Sequence, residues 1–489
     1  MTELMRCALA FVFCWLVGAA IVRLVSRRLE GVLFHSTALM IGLGAVSLDL
    51  YTLGALGVRW SVWLVVVTCL PVVLAAGLLH WYRQGLPRLK PGFGGLGDLR
   101  AHPVQIAATL SLFVLVGLAT VDAALLPASI SRTPDGYNYY LLKARMFYID
   151  GGILAYFRDQ LQLPQTVPDH PLLTTLLIDW LDLSAGGIQD HLGALANAAF
   201  LIALVGVFFG LARRFAVHSA LAAVLSLLLA TELYGFIELV GYADVALSGY
   251  ILIGAGYTAL FLRGGRTGDA ILGALGFGLA GWTKNEGIAS YYAATASFCI
   301  VVAARTILRR HWTYSLIGAV IVLVAPYVML LPWTQLKAAY GVDVIHLSNA
   351  GSIASRMLPS GPIVIAWLAA RAVLAWQLLL ALGVIAIAAR LRRPLVAVRK
   401  HTAEVYLLLL LVSMLAAYIG GILASPDPLQ DLLTTATGRL VRQVTPLFFI
   451  LLAAHIGPML RVRAHDHAPE RTIERSLNSA QPAGSAGAA

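Results

Sequence analysis

Residues 131–173 read SRTPDGYNYYLLKARMFYIDGGILAYFRDQLQLPQTVPDHPLL, the longest polar interval before the C-terminal tail. The chain is strongly apolar on both sides of it. Of 489 residues, 59% are hydrophobic and 12% charged, against roughly 25% charged in a soluble domain. Such a composition belongs to a polytopic membrane protein whose repeating unit is a span of about 20 apolar residues. The interval is then its first large extramembrane loop.

Working outward, apolar runs lie at 4–25, 32–57, 60–82, 103–126, 192–211, 216–232, 243–262, 269–283, 287–304, 313–333, 362–389, 404–424 and 443–460. They predict an all-α fold with about thirteen transmembrane helices. The run 172–183 is too short to cross and predicts an interfacial or re-entrant helix. The chain divides into N-terminal spans (1–102), a main transmembrane region (103–463) holding the outer loop 127–191, and a tail (464–489). The tail ends SAQPAGSAGAA and has the composition of a disordered segment. Its His465-Asp466-His467 reads as solvated rather than as a metal site. The N-terminal run lacks a small-residue cleavage site before Arg27, which predicts a retained first span. Cys7, Cys14, Cys69 and Cys299 fall inside apolar runs without metal-ligand spacing.

The net charge of +11 sorts by loop. Arg23, Arg27 and Arg28, then Arg83, Arg88 and Lys90, Arg213 and Arg214, Arg263 and Arg266, Arg305, Arg309 and Arg310, the 390–400 group, and Arg461 and Arg463 all occupy alternate loops. By the positive-inside rule those loops are cytoplasmic. The N-terminus and 131–173 are then outside and the tail inside. This pattern accounts for the basic charge without nucleic acid as a partner. Most carboxylates fall on the outer side, which points to an acid-rich, outward-facing site.

Within the loop, Thr133-Pro134-Asp135 reads as a helix start: hydroxyl, proline, acid. The following YNYYLLKARMFYI, with Lys143 and Arg145, suits a helix in the membrane interface. A carboxylate there either caps the helix or, as the anion, deprotonates a hydroxyl or holds a divalent metal. Pro164, Pro168 and Pro171 hold the next run extended, which predicts that Asp169 and His170 are presented rather than buried. Lys284-Asn285-Glu286 follows a run of only 14 residues after Asp269, about 21 Å of helix against a hydrocarbon core of about 30 Å. Lys284 and Glu286 are therefore expected in a protein-lined cavity below the outer surface, as functional groups or as a structural ion pair. Gly273, Gly276, Gly278 and Gly281 allow that helix close packing. Glu232, Glu238 and Asp244 cluster on the outer side. Arg439 and Arg442 lie there too, against the basic trend, and suit either an anion such as a lipid phosphate or a rim salt bridge. Asp49 and Arg371 are further charges inside spans with no evident partner. No nucleotide-binding, serine-hydrolase or zinc-protease motif is present.

Taken together, PDGYNYYLLKARMFYIDGG (134–152), VPDHPLL (167–173), GYADVAL (241–247), TKNEG (283–287) and GRLVRQVTPLFFILL (438–452) resemble GT-C-fold glycosyltransferases of bacteria that use polyprenyl-phosphate sugars. The nearest likeness is to the dolichyl-phosphate-mannose-protein mannosyltransferase group. The resemblance covers roughly 103–460. Four apolar runs precede the loop here where that group usually has one. The resemblance implies a membrane enzyme that moves a sugar from a lipid-phosphate carrier to a hydroxyl of a glycan, lipid or protein acceptor. It implies a multi-pass protein of the bacterial inner membrane with a periplasmic active site. Asp135 would be the catalytic base, with Asp169, His170, Lys284, Glu286, Asp244, Arg439 and Arg442 binding substrate. A divalent cation, Mg or Mn, held by Asp135 and Asp169 stays open as a cofactor. The alternatives are a transporter or flippase of lipid-linked sugars, and a glycan polymerase or ligase in which the late loop 334–361 would dominate.

Overall fold

The computed structural model describes residues 2–26, 29–84, 136–159, 161, 168–189, 192–236, 242–309, 316–342, 350–390, 401–425 and 427–466. These residues form helices joined by turns, with no strand among them. In chain order the α-helices are α1 (Glu3–Val25), α2 (Gly31–Ala55), α3 (Val62–Gln84), α4 (Leu142–Asp150), α5 (Leu154–Asp159), α6 (Leu173–Ala185), α7 (Leu192–Arg214), α8 (Ser219–Leu233), α9 (Asp244–Gly264), α10 (Thr267–Thr283), α11 (Asn285–Arg309), α12 (Leu316–Ala339), α13 (Ala350–Arg390), α14 (Thr402–Ala424), α15 (Leu429–Thr435) and α16 (Thr437–Asp466). A π-helical turn, Gly136–Leu141, leads into α4.

Among the described residues nine helices are long and apolar enough to cross a membrane: α1, α2, α3, α7, α9, α11, α12, α14 and α16. The protein is an all-α, multi-pass membrane protein. The run expected to span at 103–126 lies outside the described residues. The runs at 216–232 and 269–283 form α8 and α10, of 15 and 17 residues. At about 1.5 Å per residue these helices fall short of a hydrocarbon core of about 30 Å. The expected late loop 334–361 is largely helical instead. α12 runs to Ala339 and α13 starts at Ala350, extending for 41 residues with Pro359 and Pro362 inside it. Helix α16 likewise continues past 463 to Asp466.

α9 and α10 form the centre, and the spanning part of α9 is wholly buried. α1, α3 and α12 lie at the rim and expose Leu9, Trp63, Leu74, Ile317 and Val324. Small residues set the closest contacts, since helices in lipid associate through packing rather than hydrophobic burial. A methyl group at Gly276 would strike the backbone of Gly254 on α9, and one at Gly18 the Ala38 carbonyl of α2. Buried hydrogen bonds pin the same core: the Thr37 and Tyr257 hydroxyls pair at 2.9 Å, and Trp282 Nε1 donates to Ser47 Oγ at 2.9 Å. Asp49 accepts from Thr68 Oγ1 at 2.7 Å, and Arg371 stands 5.7 Å from the Trp367 ring centre, so both intramembrane charges have neighbours.

The bundle has two chemically different ends. At one, arginines sit at helix C-termini, where cations suit the helix dipole. Arg305 donates to the Leu262 carbonyl (3.1 Å) and to Thr402 Oγ1 (3.0 Å), and Arg213 to the Val217 carbonyl (2.8 Å). At the other end lie α4, α5 and α6. Helix α6 occupies the run expected to be interfacial or re-entrant, and its residues Leu173 through Asp182 are all buried. It is wedged against α1, α2 and α7, with Trp180 Nε1 donating to the Ala10 carbonyl at 3.4 Å. Burial, and then the nearby Asp182 charge, push the Asp179 carboxyl on α6 well above the usual carboxylate range.

Gly276→Ala should destabilise the protein by about 1–3 kcal/mol through overpacking. Gly77→Ala, with open space at its Cβ, should be neutral or stabilising by up to about 1 kcal/mol. Thermal unfolding in detergent distinguishes the two, and equal midpoints would contradict the packing described.

Candidate functional site

Asp244 begins α9 and is fully buried. Its Oδ2 accepts from Arg439 Nη2 at 2.9 Å, and its Oδ1 lies 3.4 Å from Lys284 Nζ and accepts from Gln443 Nε2. Lys284 Nζ also meets Glu286 Oε1 at 2.8 Å. Local structure makes this possible. The chain is extended at Lys284 (φ −162°, ψ 157°), between the end of α10 and the start of α11. Gly287 supports the break, because a side chain there would overlap the Ala280 backbone. Three of the four charges also suit their helix ends: Asp244 and Glu286 occupy first turns, and Lys284 caps a C-terminus. Arg439 sits in the first turn of α16, the unfavourable end for a cation. Asp244 offsets that, and the Tyr242 ring lies 4.3 Å beneath the guanidinium. Tyr418 on α14 extends the network by donating to Gln443 Oε1 at 2.9 Å.

The adjoining residue, Asn285, connects this group to the loop before α6. Its Nδ2 donates to Asp169 Oδ2 at 3.1 Å, and His170 Nδ1 lies 3.4 Å from Asp169 Oδ1. The expectation that Asp169 is presented to solvent is corrected: it is 1% exposed. The bracketing prolines keep the segment out of regular structure, but the side chain turns inward to the Asn285 amide at the start of α11. His170 keeps an edge toward solvent and lies between Tyr139 and Tyr140, with ring centres 6.3 and 6.4 Å away.

Two buried lysines are drawn electrostatically by Asp169. Lys143 on α4 was expected on an interfacial helix and is instead buried, its Nζ 5.9 Å from the Tyr156 ring centre. Burial brings its ammonium down to about 7, against the opposing pull of Asp169. Lys337, near the end of α12, is also buried, with Nζ 5.5 Å from the Trp333 ring centre, and Asp169 attracts it electrostatically.

Six of the sequence-derived residues therefore meet: Asp169, His170, Asp244, Lys284, Glu286 and Arg439. Arg442 is elsewhere, near Gly235 and the Glu232 carboxylate. Asp135 and Glu238 lie outside the described residues, which resume at Gly136. Among the described residues no group of three or more His, Cys, Asp or Glu is placed to hold a metal. Of the two expected cation ligands, Asp135 lies outside the described residues, and Asp169 Oδ2 accepts from the Asn285 amide.

No family model matches the chain, and neither does a curated protein or a solved structure. Geometry alone then says what the arrangement can do. It holds fixed cations and a histidine at one end of a membrane bundle, where they can stabilise negative charge as it develops.

In the sequence Lys143 reads only as part of an interfacial helix, and Lys337, Gln443 and Tyr418 carry no assigned role. Gln443 had a signal, since it follows Arg439 by four residues and shares its helix face.

Asp244→Asn should leave Lys284 and Arg439 without their shared carboxylate and destabilise the protein by about 3–5 kcal/mol. Adding Lys284→Met should restore part of the loss. Thermal unfolding of purified protein checks both; an unchanged midpoint in Asp244→Asn would contradict the network.

Proposed function

We propose that this protein is a multi-pass membrane glycosyltransferase that uses a polyprenyl-phosphate sugar and works at the outer face of the bacterial inner membrane. One observation carries the reading. Segments far apart in sequence (168–170, 244, 284–286 and 439) meet at the bundle end opposite the arginine-capped helix ends. By the positive-inside rule that end is external, where lipid-linked sugars and their acceptors meet. The five motifs that resemble the GT-C group are the ones that converge here.

In the proposed reaction an acceptor hydroxyl attacks the anomeric carbon of the donor. The new C–O bond forms as the bond from that carbon to the phosphate oxygen breaks, inverting the centre. The hydroxyl proton passes to the Asp135 carboxylate, and the lipid phosphate leaves with the bonding pair. Fixed cations at the site stabilise the departing anion, and His170 is placed at its edge. No step passes through a metal.

The test is incubation of purified protein in lipid nanodiscs with a labelled polyprenyl-phosphate sugar and candidate glycan, lipid and protein acceptors. Wild-type protein should transfer label, and Asp135→Asn should lose transfer by 10² or more while keeping its unfolding midpoint. Full activity in Asp135→Asn would overturn the assignment. Movement of the donor across the bilayer without transfer would replace the transferase with a flippase.

A further inference from the structure

Two turns clasp a small cavity that the transferase reading leaves unused. The turn between α2 and α3 meets the turn between α4 and α5, and a cavity of about 340 Å³ lies between them. That is near the small end of the range for ligand pockets, about 300–1,000 Å³. Its walls are tied together. The Trp60 amide donates to the Gly151 carbonyl at 3.0 Å, and the Trp60 indole donates to the Leu50 carbonyl at 3.0 Å. The same indole stands edge-on to Phe147 of α4, with ring centres 6.2 Å apart. Glycines let the two turns approach: a side chain on Gly54 would come within 3.2 Å of Ile153, and one on Gly151 within 2.8 Å of the Arg59 stem.

Two side chains of opposite charge line the cavity, Arg59 from one turn and Asp150 from the end of α4. Both are exposed, and among the described residues neither forms an ion pair or a side-chain hydrogen bond, with the other or with any neighbour. Each also sits where a general trend disfavours it. Asp150 is the last residue of α4, where the helix dipole opposes a carboxylate. Arg59 lies in a loop on the side that the positive-inside rule makes poor in basic residues. Charges held apart in one cavity suit a ligand that carries both an anion and a cation. The apolar side chains there are exposed as well: Val58 and Ile149 line the cavity, and Leu56 adjoins it in the same turn, 73% exposed. Clustered exposed apolar surface marks a place where lipid or a partner sits, and these residues flank the ends of apolar membrane helices.

We propose that this cavity binds the headgroup of a zwitterionic membrane phospholipid, its phosphate at Arg59 and its ammonium at Asp150, with the acyl chains against the exposed apolar side chains. An aminoalkyl phosphate is the chemistry that the two charges recognise, and the apolar surface beside them favours a lipid over a soluble compound. The site stands apart from the transferase reading, since neither residue belongs to the group around Asp244 and Asp169.

The experiment measures binding, not turnover. Purified, delipidated protein in a neutral detergent is titrated with phosphatidylethanolamine, with phosphatidylglycerol of the same acyl chains, and with soluble O-phosphoethanolamine. An apparent Kd is read from the rise in unfolding midpoint, for wild type, Arg59→Gln, Asp150→Asn and Asp150→Glu. Both side chains are exposed, so the variants should unfold near the wild-type midpoint without lipid. Wild type should prefer phosphatidylethanolamine to phosphatidylglycerol by roughly tenfold. Arg59→Gln should weaken both lipids, while Asp150→Asn should weaken phosphatidylethanolamine alone and erase the preference, and Asp150→Glu should keep it. Equal affinity of wild type for the two lipids, or a preference that survives in both Arg59→Gln and Asp150→Asn, overturns the site. Protection by O-phosphoethanolamine equal to that by the lipid overturns the lipid assignment in favour of a soluble aminoalkyl phosphate.

Discussion

The structure turns on a carboxylate that water does not reach. Asp244 has no exposed surface and takes cations from two helices at once, Lys284 at 3.4 Å and Arg439 at 2.9 Å. An isolated charge at that depth would be driven to neutralise. The partners remove that drive only if three helix ends stay in register: the start of α9, the break between α10 and α11, and the start of α16. Much else in the bundle serves that register. The glycine contact between α9 and α10 sets their separation, the Trp282–Ser47 bond ties α10 to α2, and Tyr418 brings α14 against Gln443.

Next to this group sits the Asp169 carboxylate, and Asn285 joins the two. Lys284 faces Asp244 while the next residue faces Asp169. That is possible because the chain is extended between α10 and α11, so consecutive side chains point to opposite sides. One three-residue segment thus couples the Asp244 charge clamp to the Asp169 loop.

The fold class was legible because composition and span length leave few alternatives, and the sorting of arginines by loop matches the helix C-termini they cap. The candidate site was legible where a charge broke a local rule. Lys284 followed too short a run, Arg439 sat on the wrong side, and Asp244 opened a span. What stayed hidden depended on neighbours distant in sequence. Nothing local says that Asp169 points inward, since its partner lies more than a hundred residues away on α11. Lys143 looked interfacial because mixed aromatic and basic composition suits both an interface and a buried cation over a tyrosine. The short helices α8 and α10 look like spans in the sequence because apolarity reports burial, and protein buries a helix as fully as lipid does.

Whether the site end can meet lipid-linked sugars and their acceptors depends on which side of the membrane it faces. Single cysteines at Asp150, exposed at the site end, and at Arg263, exposed at the arginine-capped end, can be placed in a chain whose four native cysteines are replaced. Labelling intact cells with a membrane-impermeant maleimide should modify the cysteine at position 150 and spare the one at 263 until the membrane is opened. Labelling at 263 and protection at 150 would put the site in the cytoplasm and contradict the account.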